Sequence, residues 1–466
     1  MHTAQHDIEI NVWAYKNFRN VQLFDKRRTK RLIDIASKLS MHPGQSLASL
    51  YPKWYDVKAI YNLFDEKVMT PDTIQSNHRA LANEYILNWD GDVLLIEDSS
   101  EFEWNGHDPI EGLGPIGSGR KGDQGFILHS TLAVGIVSDK SDYKNLPVKI
   151  LGLPSQQYYV RPPKRTKSHK RCNGQKELET DLWSKMLKNN VPKSISNRLI
   201  RVCDRNADIY ETLFDTKTTG YDYLIRVRHD RVDNDDWEIS LFSTMRELPP
   251  IGTTTIERRG REGTTKRTIS LNVNWQEVSL RAPARPGYKI GELPPLQVTV
   301  VHVWGVDPED GTIIEWFLYT SLSINDFEAA CLIVKYYALR WTIEDYHKIL
   351  KSGLNAEDLQ LETAHRLFAA IATMSIVALR LLDLRESLRI NPDNPAVNSG
   401  FSEFEIKVLE KYLKRSIKTV KCVALAIGKL GGHLNRKSDG MPGIKTLWLG
   451  ISRLMDLVEG AMLWKQ

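Results

Sequence analysis

The spacing of apolar residues predicts helices at both ends of this 466-residue chain. Near the N terminus, the apolar side chains of residues 26–39 fall on one face of a helix, and Asp25 can cap that helix. The helical pattern continues to about residue 75. A second helical region is predicted to begin near Asn325 and to reach the end of the chain, with a linker at 390–400.

Short apolar runs in the middle of the chain predict a different structure. These runs lie at 92–98, 126–137, 149–153, 198–204, 223–229 and 315–321. Three successive strands, followed by strands that alternate with helices, indicate an α/β sheet. Between about residues 230 and 310, short alternating segments rich in Thr and Val predict an all-β insertion. We therefore expect an α/β core with an all-β insertion, flanked by helical N-terminal and C-terminal domains.

Composition narrows the class of protein. Apolar residues make up 41% of the chain and charged residues 26%, which is typical of soluble globular chains and excludes wholesale disorder. The four cysteines form no C-x-x-C pair, which argues against a disulfide scaffold and a thiolate zinc site. The first residues lack the pattern of a secretory signal. The longest apolar stretch, 367–379, is too short to span a membrane, which needs about 20 residues. We therefore expect a cytoplasmic protein.

The placement of basic residues favours an anionic partner. The chain has 63 Lys and Arg against 58 Asp and Glu, and the net charge of +5 is too small to decide the matter. The basic residues, however, cluster at 26–31, 161–171 and 411–421. The first cluster consists of Lys26, Arg27, Arg28, Lys30 and Arg31. One such cluster is equally consistent with a solvated surface, but three together favour nucleic-acid binding.

The segment 336–353 contains the most informative pattern in the chain. On a helix with 100° per residue, five polar side chains share an arc of about 80°, separate from an apolar stripe. They are Tyr337, Arg340, Glu344, Lys348 and Lys351. An ordinary surface helix with ion pairs four residues apart is the alternative explanation. Asp345 lies off this polar stripe, so Glu344 is the better candidate for a catalytic acid.

Two of the predicted strands end in an aspartate, Asp98 and Asp204. The carboxyl ends of strands are where sites form in α/β sheets, and Glu344 on a following helix could complete a cluster of three acids. Carboxylate ligands suit Mg²⁺ or Mn²⁺, and two ions about 3.5–4 Å apart would support phosphoryl transfer. The alternative for each aspartate alone is a strand-end turn or a helix cap.

Several motifs together resemble those of one known family. The spacing of Tyr337, Arg340, Glu344 and Lys351 resembles the signature of bacterial cut-and-paste DDE transposases of the transposon-five type, in the insertion-sequence-four group. IEDSS, CDRNADI, FDKRRTKRL, RWTIEDYHK and LRLLDLRES also resemble segments of that family, in the same order along the chain. The spacing between Asp98 and the second aspartate is longer than in the type protein. The basic run at 161–171 consequently aligns poorly.

The resemblance implies a role for each matching residue. Asp98, Asp204 and Glu344 would bind two Mg²⁺ ions, for which Mn²⁺ can substitute, on an RNase H-like fold. Trp316 would hold a flipped base beside a DNA hairpin. The residues expected near the cleaved phosphate of the transposon end are Tyr337, Arg340, Lys348, Lys351 and Arg226.

The resemblance also implies an activity and a domain organisation. Residues 1–75 would bind double-stranded DNA, 76–388 would form the catalytic domain, and 389–466 would form a homodimer on DNA. The enzyme would nick the transposon end, form and open a hairpin, and join the element to target DNA. Two alternatives are a structure-specific DNA nuclease on the same fold and a non-catalytic regulator that binds transposon ends.

Overall fold

The structure is a computed structural model that describes most of the chain. The described residues are 12–105, 108–117, 122–137, 146–162, 179–187, 191–194, 196–231, 240–258, 267–282, 294–436 and 439–463. Most of the basic run 161–171, and most of a basic loop at 257–267 in the predicted insertion, lie outside these residues.

The N-terminal part is helical, as the apolar spacing predicts. Its helices are α1 (12–18), α2 (Lys26–Met41), α3 (Leu47–Leu50), α4 (Trp54–Phe64) and α5 (Pro71–Leu87). Asp25 caps α2 by accepting a hydrogen bond from the backbone N–H of Arg27, at 2.8 Å. Leu32, Ile35 and Leu39 on the inner face of α2 are buried in the main core.

A ten-stranded sheet lies at the centre of the described residues. Its strands are β1 (Gly91–Glu103), β2 (Gly114–Pro115), β3 (Gln124–Ile136), β4 (Val148–Tyr159), β5 (Asn197–Cys203), β6 (Asp222–Arg226), β7 (Gly252–Arg258), β8 (Arg267–Leu280), β9 (Leu296–Val306) and β10 (Ile313–Thr320). The order is β2-β3-β1-β5-β6-β10-β9-β8-β7, with β4 paired to β3. Strands β1, β5 and β6 are parallel, and their neighbours are antiparallel.

The insertion differs in part from the prediction. Strands β7 to β9 confirm its β character, and β10 bonds to both β9 and β6. The insertion therefore extends the central sheet. The segment ISLFSTM was predicted as β structure, but residues Leu241–Glu247 form a helix, α8. Ser240 caps this helix, and only Leu241 and Met245, four residues apart, are buried in it. The all-β description is therefore wrong for this segment.

Helices cover the sheet and form the C-terminal part. They are α6 (Asp181–Leu187), α7 (Tyr210–Thr219), α9 (Phe327–Ala338), α10 (Trp341–Lys348), α11 (Ala364–Ile390), α12 (Glu403–Leu413), α13 (Val420–Leu430) and α14 (Ile444–Leu463). By length and composition alone α11 could cross a membrane, but 78% of its apolar window is buried inside the protein. It therefore packs as a central core helix.

Candidate active site

Asp98 and Asp204 lie at the same edge of the sheet. In the parallel pair β1 and β5, the last paired residues are Glu97 and Cys203, and each is followed by one of the two aspartates. β5 ends there, and Asp204 caps a short 3₁₀-helix by accepting a hydrogen bond from the N–H of Asn206 at 2.8 Å. The prediction that β1 ends at Asp98 is wrong, because the pairing of β1 with β3 continues for five more residues. The predicted meeting of the two strands at one edge is nevertheless present.

The electrostatics of Asp98 show that the two acids interact. Its side chain is only 16% exposed, and burial raises the pKa of its carboxyl to about 7, with Asp204 as the next cause and Glu344 as a smaller one. The guanidinium of Arg340 and the backbone N–H of Ser99 act in the opposite direction. Two carboxylates that repel each other in a partly buried site are a favourable place for a cation.

Glu344 lies on α10, and its side chain is directed towards Arg340. The two side chains form an ion pair four residues apart, and Glu344 is 54% exposed. Nη1 of Arg340 lies 3.6 Å from Oδ2 of Asp98. Arg340 therefore contacts both acids. The neighbouring Asp345 is buried and forms a 2.6 Å ion pair with Arg385 of α11. This packing agrees with its predicted position off the polar stripe.

The three predicted acids are only partly assembled. Within the described ranges, no group of three His, Cys, Asp or Glu side chains is arranged so that it could hold a metal ion. Asp98 and Asp204 supply oxygen ligands side by side, which fits Mg²⁺ or Mn²⁺ in donor chemistry. Glu344 is the nearby exposed acid, and its side chain would have to leave Arg340 to join them.

Two of the predicted DNA-contacting residues are packed inside the protein. Trp316 is 7% exposed and Tyr337 is 4% exposed, and their rings meet edge to face at 5.3 Å. Burial raises the pKa of the Tyr337 hydroxyl to about 12. Arg226 lies beside them and donates a hydrogen bond to the carbonyl oxygen of Glu315 at 3.3 Å. We find these three residues together, with the two aromatic rings in the core.

The two predicted lysines of this region differ in their surroundings. Lys348, the last residue of α10, is exposed. Lys351 follows in a π-helical segment (Ile349–Gly353), where its Nζ donates to the carbonyl oxygen of Glu101 at 2.7 Å. Lys351 also forms a 3.1 Å ion pair with Glu357. In this arrangement Lys351 is therefore tied to the protein, whereas Lys348 is open to a ligand.

The basic residues of α2 also differ in whether they are exposed or paired with an acid of the protein. Lys26, Lys30 and Arg31 are exposed. Arg27 is exposed as well, but its guanidinium forms a 3.0 Å ion pair with Asp25. Arg28 is half-buried and forms an ion pair with Glu66. The predicted phosphate-contacting surface thus has its open cations on one side of α2, while Arg28 joins α2 to the turn after α4.

A buried polar network beneath the two aspartates was not predicted from the sequence. Glu97 and Arg201 are 2% and 1% exposed, and the guanidinium donates to both carboxylate oxygens, at 2.9 and 2.6 Å. Burial alone would raise the pKa of Glu97, but Arg201 and His129 together outweigh this effect and lower the pKa to about 2. The available signal was a charged residue in each of two apolar runs, LLIED and LIRVCD.

Comparison with known families identifies the chain. A transposase DNA-binding model matches residues 10–68, a transposase DDE domain model matches 182–380, and a Tn5 transposase dimerisation domain model matches 403–465. The chain belongs to the DDE transposases of the Tn5 type. The predicted resemblance and the RNase H-like core are thereby confirmed.

Membership in this family establishes the general activity. The chain is a DDE-type transposase, which binds DNA, forms dimers and depends on a divalent metal ion. The DDE domain match includes Asp204 and Glu344, whereas Asp98 precedes it. The dimerisation match covers α12 to α14. In α14 the residues Leu447, Leu454 and Val458 are buried, while Leu449 and Leu463 are exposed.

Proposed function

We propose that this transposase excises its element by cutting both strands at each end and then joins the freed ends to target DNA. Asp98, Asp204 and Glu344 are the catalytic acids of this proposal. Water nicks one strand, the released 3′-hydroxyl attacks the opposite strand to form a hairpin, and a second water opens it. All four steps, including the final joining, are phosphoryl transfers, so one site can serve each of them.

The observation that carries this proposal is the parallel register of β1 and β5. Because Glu97 pairs with Cys203, the two aspartates that follow them are neighbours at one sheet edge. Arg340 then connects this pair with Glu344, since its guanidinium contacts Asp98 and Glu344. The arrangement supports an active site at which Arg340 holds Glu344 close to the aspartates before a metal ion binds.

We further propose Mg²⁺ as the natural metal ion, with two ions per site and Mn²⁺ as a substitute. Asp98 and Asp204 would bind the ions, and Glu344 would join after its side chain leaves Arg340. When bound, such ions activate an attacking oxygen and stabilise a leaving one. Arg340 would then be free to contact a DNA phosphate, to which a guanidinium donates paired hydrogen bonds.

We assign contacts with DNA to two regions of the protein. The exposed cations Lys26, Lys30 and Arg31 on α2 support contact with the phosphates of the transposon end. Lys348 supports contact near the cleaved phosphate. We assign residues 1–75 to end binding, 76–388 to catalysis and 389–466 to dimerisation, in a cytoplasmic protein that joins the nucleoid when it binds DNA.

The products formed on end DNA test this function. A labelled duplex that carries the terminal repeat flanking the gene should yield a nick, a hairpin and, with added target DNA, a joined product in Mg²⁺. Cleavage of this duplex without hairpin or joined product would instead favour a structure-specific nuclease. Binding without any cleavage in Mg²⁺ or Mn²⁺ would favour a non-catalytic regulator. The matched control is a duplex of equal length with a scrambled terminal repeat.

A further inference from the structure

A fully buried ion pair joins the two strands that carry the catalytic aspartates. Nε of Arg201 in β5 donates to Oε1 of Glu97 in β1 at 2.9 Å, and Nη2 donates to Oε2 at 2.6 Å. Side chains alternate between the two faces of a strand. Glu97 and Arg201 therefore lie on the face of the sheet opposite Asp98 and Asp204.

The remaining donors of Arg201 hold the pair to the layer of helices below. Nη1 donates to Oγ1 of Thr216 in α7 at 2.6 Å, and Nη2 also donates to the carbonyl oxygen of Trp183 in α6 at 3.0 Å. The guanidinium thus has one fixed position relative to β1, α6 and α7. A planar, five-donor group bound on three sides can rotate or shift only if several bonds break together.

A third strand is tied to the same network through His129 of β3. Its Nε2 lies 3.8 Å from Oε2 of Glu97, and its Nδ1 lies 2.7 Å from Oγ of Ser99. Ser99 follows Asp98 directly and donates its backbone N–H to Oδ1 of that aspartate at 2.9 Å. His129 also meets the ring of Trp183 edge on, at 4.5 Å. The network consequently reaches the residues on both sides of Asp98 in β1.

A buried ion pair is an uncertain source of stability, because desolvation of both charges offsets much of their attraction. Its location points to another role. β1 and β5 separate immediately after Glu97 and Cys203, so backbone hydrogen bonds no longer hold the two strands together at the aspartates. The ion pair links Glu97, the last paired residue of β1, diagonally to Arg201, which is paired with Leu95 two residues before the end of the pairing.

We propose that Glu97 and Arg201 are positioning residues, which hold Asp98 and Asp204 at the separation that a divalent cation requires. This inference rests on the proposed function of the two aspartates. Mg²⁺ demands near-ideal octahedral geometry, so small changes in the separation of two ligands weaken its binding. The Glu97–Arg201 pair would fix the separation of the two aspartates from the opposite face of the sheet. It would touch neither the ion nor the DNA.

The chain offers a matched control for this proposal. Arg198 and Asp92 form the same kind of forked pair between the same two strands, with bonds of 2.9 and 2.7 Å. Asp92 lies six residues before the first aspartate, and Arg198 lies six residues before the second. At about 3.3 Å per residue this control pair is about 20 Å from the site.

The experiment compares two double variants of the full chain, with Mn²⁺ as the probe. One variant is Glu97→Leu with Arg201→Met, which replaces the buried pair by apolar side chains, and the other is Asp92→Leu with Arg198→Met. Mn²⁺ binding is measured by electron paramagnetic resonance and corrected with a protein carrying Asp98→Ala and Asp204→Ala. Melting temperature and cleavage of end DNA in Mg²⁺ are measured in parallel.

We expect the first variant to keep a melting temperature close to that of the wild type, but to lose Mn²⁺ affinity and Mg²⁺-dependent cleavage by about tenfold. The control variant should keep both within about twofold, because it leaves the end of the strand pair intact. A folded Glu97→Leu, Arg201→Met protein with wild-type Mn²⁺ affinity would overturn the proposal.

A second variant covers the case in which the apolar pair does not fold. Arg201→Lys keeps the buried charge but loses the fork, so it should fold and still lose Mn²⁺ affinity. Wild-type Mn²⁺ affinity in Arg201→Lys would then overturn the proposal. If the wild type binds no more Mn²⁺ than the Asp98→Ala, Asp204→Ala protein, the proposed metal site itself is wrong and this inference falls with it.

Discussion

Arg340 and Asp98 form an ion pair across the candidate active site, with 3.6 Å between Nη1 and Oδ2. The same guanidinium is paired with Glu344. A cation supplied by the protein thus lies between two of the three proposed catalytic acids. Arg340 therefore partly offsets the negative charge of Asp98 and Glu344.

The three acids should be needed for cleavage but not for binding. We predict that Asp98→Ala, Asp204→Ala and Glu344→Ala each lower the rate of end cleavage by orders of magnitude, because each removes a metal ligand. Affinity for end DNA should change little, because it comes mainly from phosphate contacts elsewhere. Gel-shift and cleavage assays check this, with the exposed Asp90→Ala as the control. A variant that cleaves at the wild-type rate in Mg²⁺ would remove that residue from the triad.

Substitution of two adjacent acids of α10 should affect different properties. Asp345 should matter for stability, and Glu344 should matter for cleavage. Asp345 is buried against Arg385, and removal of one partner of a buried ion pair costs about 3–5 kcal/mol. Asp345→Ala should therefore lower the free energy of unfolding by roughly that amount. Glu344 is 54% exposed, so Glu344→Ala should leave stability almost unchanged while it abolishes cleavage. Urea unfolding of both variants separates the two roles, and equal losses of stability would contradict them.

Trp316 should contribute to stability as well as to any contact with DNA. It is 7% exposed and packs against Tyr337, and truncation of a buried Trp to Ala costs about 3–5 kcal/mol. We predict a loss of this size for Trp316→Ala, and a much smaller loss for Trp54→Ala, since Trp54 is 69% exposed. Trp316→Phe should restore most of the stability. If Trp316→Ala keeps its stability but fails only in hairpin formation, the base-holding role that the resemblance implies is favoured.

His78 should make the protein sensitive to mild acid. Its Nδ1 lies 2.8 Å from Oδ1 of Asn17 and its Nε2 accepts from the N–H of Leu153, so it joins the N-terminal helices to β4. Burial, with a smaller effect of Arg79, lowers the pKa of the His78 imidazole to about 4. His78 is therefore protonated near pH 6.5 in the unfolded chain, but only near pH 4 in the folded chain.

The stability that neutral His78 contributes is complete above pH 6.5 and is lost as the pH falls towards 4. The full loss corresponds to about 3 kcal/mol. We predict that His78→Gln loses less unfolding free energy between pH 7 and pH 4.5 than the wild type does. The exposed His229→Gln serves as the control and should follow the wild-type curve. Identical pH dependence of His78→Gln and wild type would contradict this assignment.

The dimer should depend on the outer face of α14. Leu449 and Leu463 are 43% and 75% exposed, and they lie fourteen residues apart, which places them on nearly the same side of the helix. We predict that Leu449→Glu with Leu463→Glu removes the paired-end complex from a native gel while single-end binding and melting temperature persist. Leu434→Glu, at an exposed loop position, is the control. Survival of the paired complex would place the interface elsewhere.

Much of the fold could be predicted because single elements carry a strong pattern. The helix α2 was identified from its apolar face and its Asp25 cap, and β5 from an apolar run that ends in an acid. The sequence pattern does not reveal the helix α8, because its seven residues are too few for a helical period to show and Thr is frequent in strands. Short segments take their structure from tertiary packing, which a sequence pattern does not contain.

The contacts within the candidate site could not be predicted from the sequence. The sequence predicts one polar stripe for the five side chains of 336–353, separate from the apolar stripe, yet Tyr337 is buried. The reason is that α9 and α10 form two helices, separated at Leu339 and Arg340, so one helical wheel does not describe both. The pairing of Lys351 with Glu101 and Glu357 depends on strands far away in sequence, which no local spacing reveals.

The register of β1 and β5 also bears on how such enzymes can diverge. Asp98 and Asp204 are separated by 106 residues, but each owes its place to the strand in front of it. Loops in this interval can gain or lose residues without moving either acid, provided that the two strands still pair. The loops between the acids are therefore free to change in length during evolution. A search for distant relatives should look for the strand that precedes each acid and should ignore the number of residues between them.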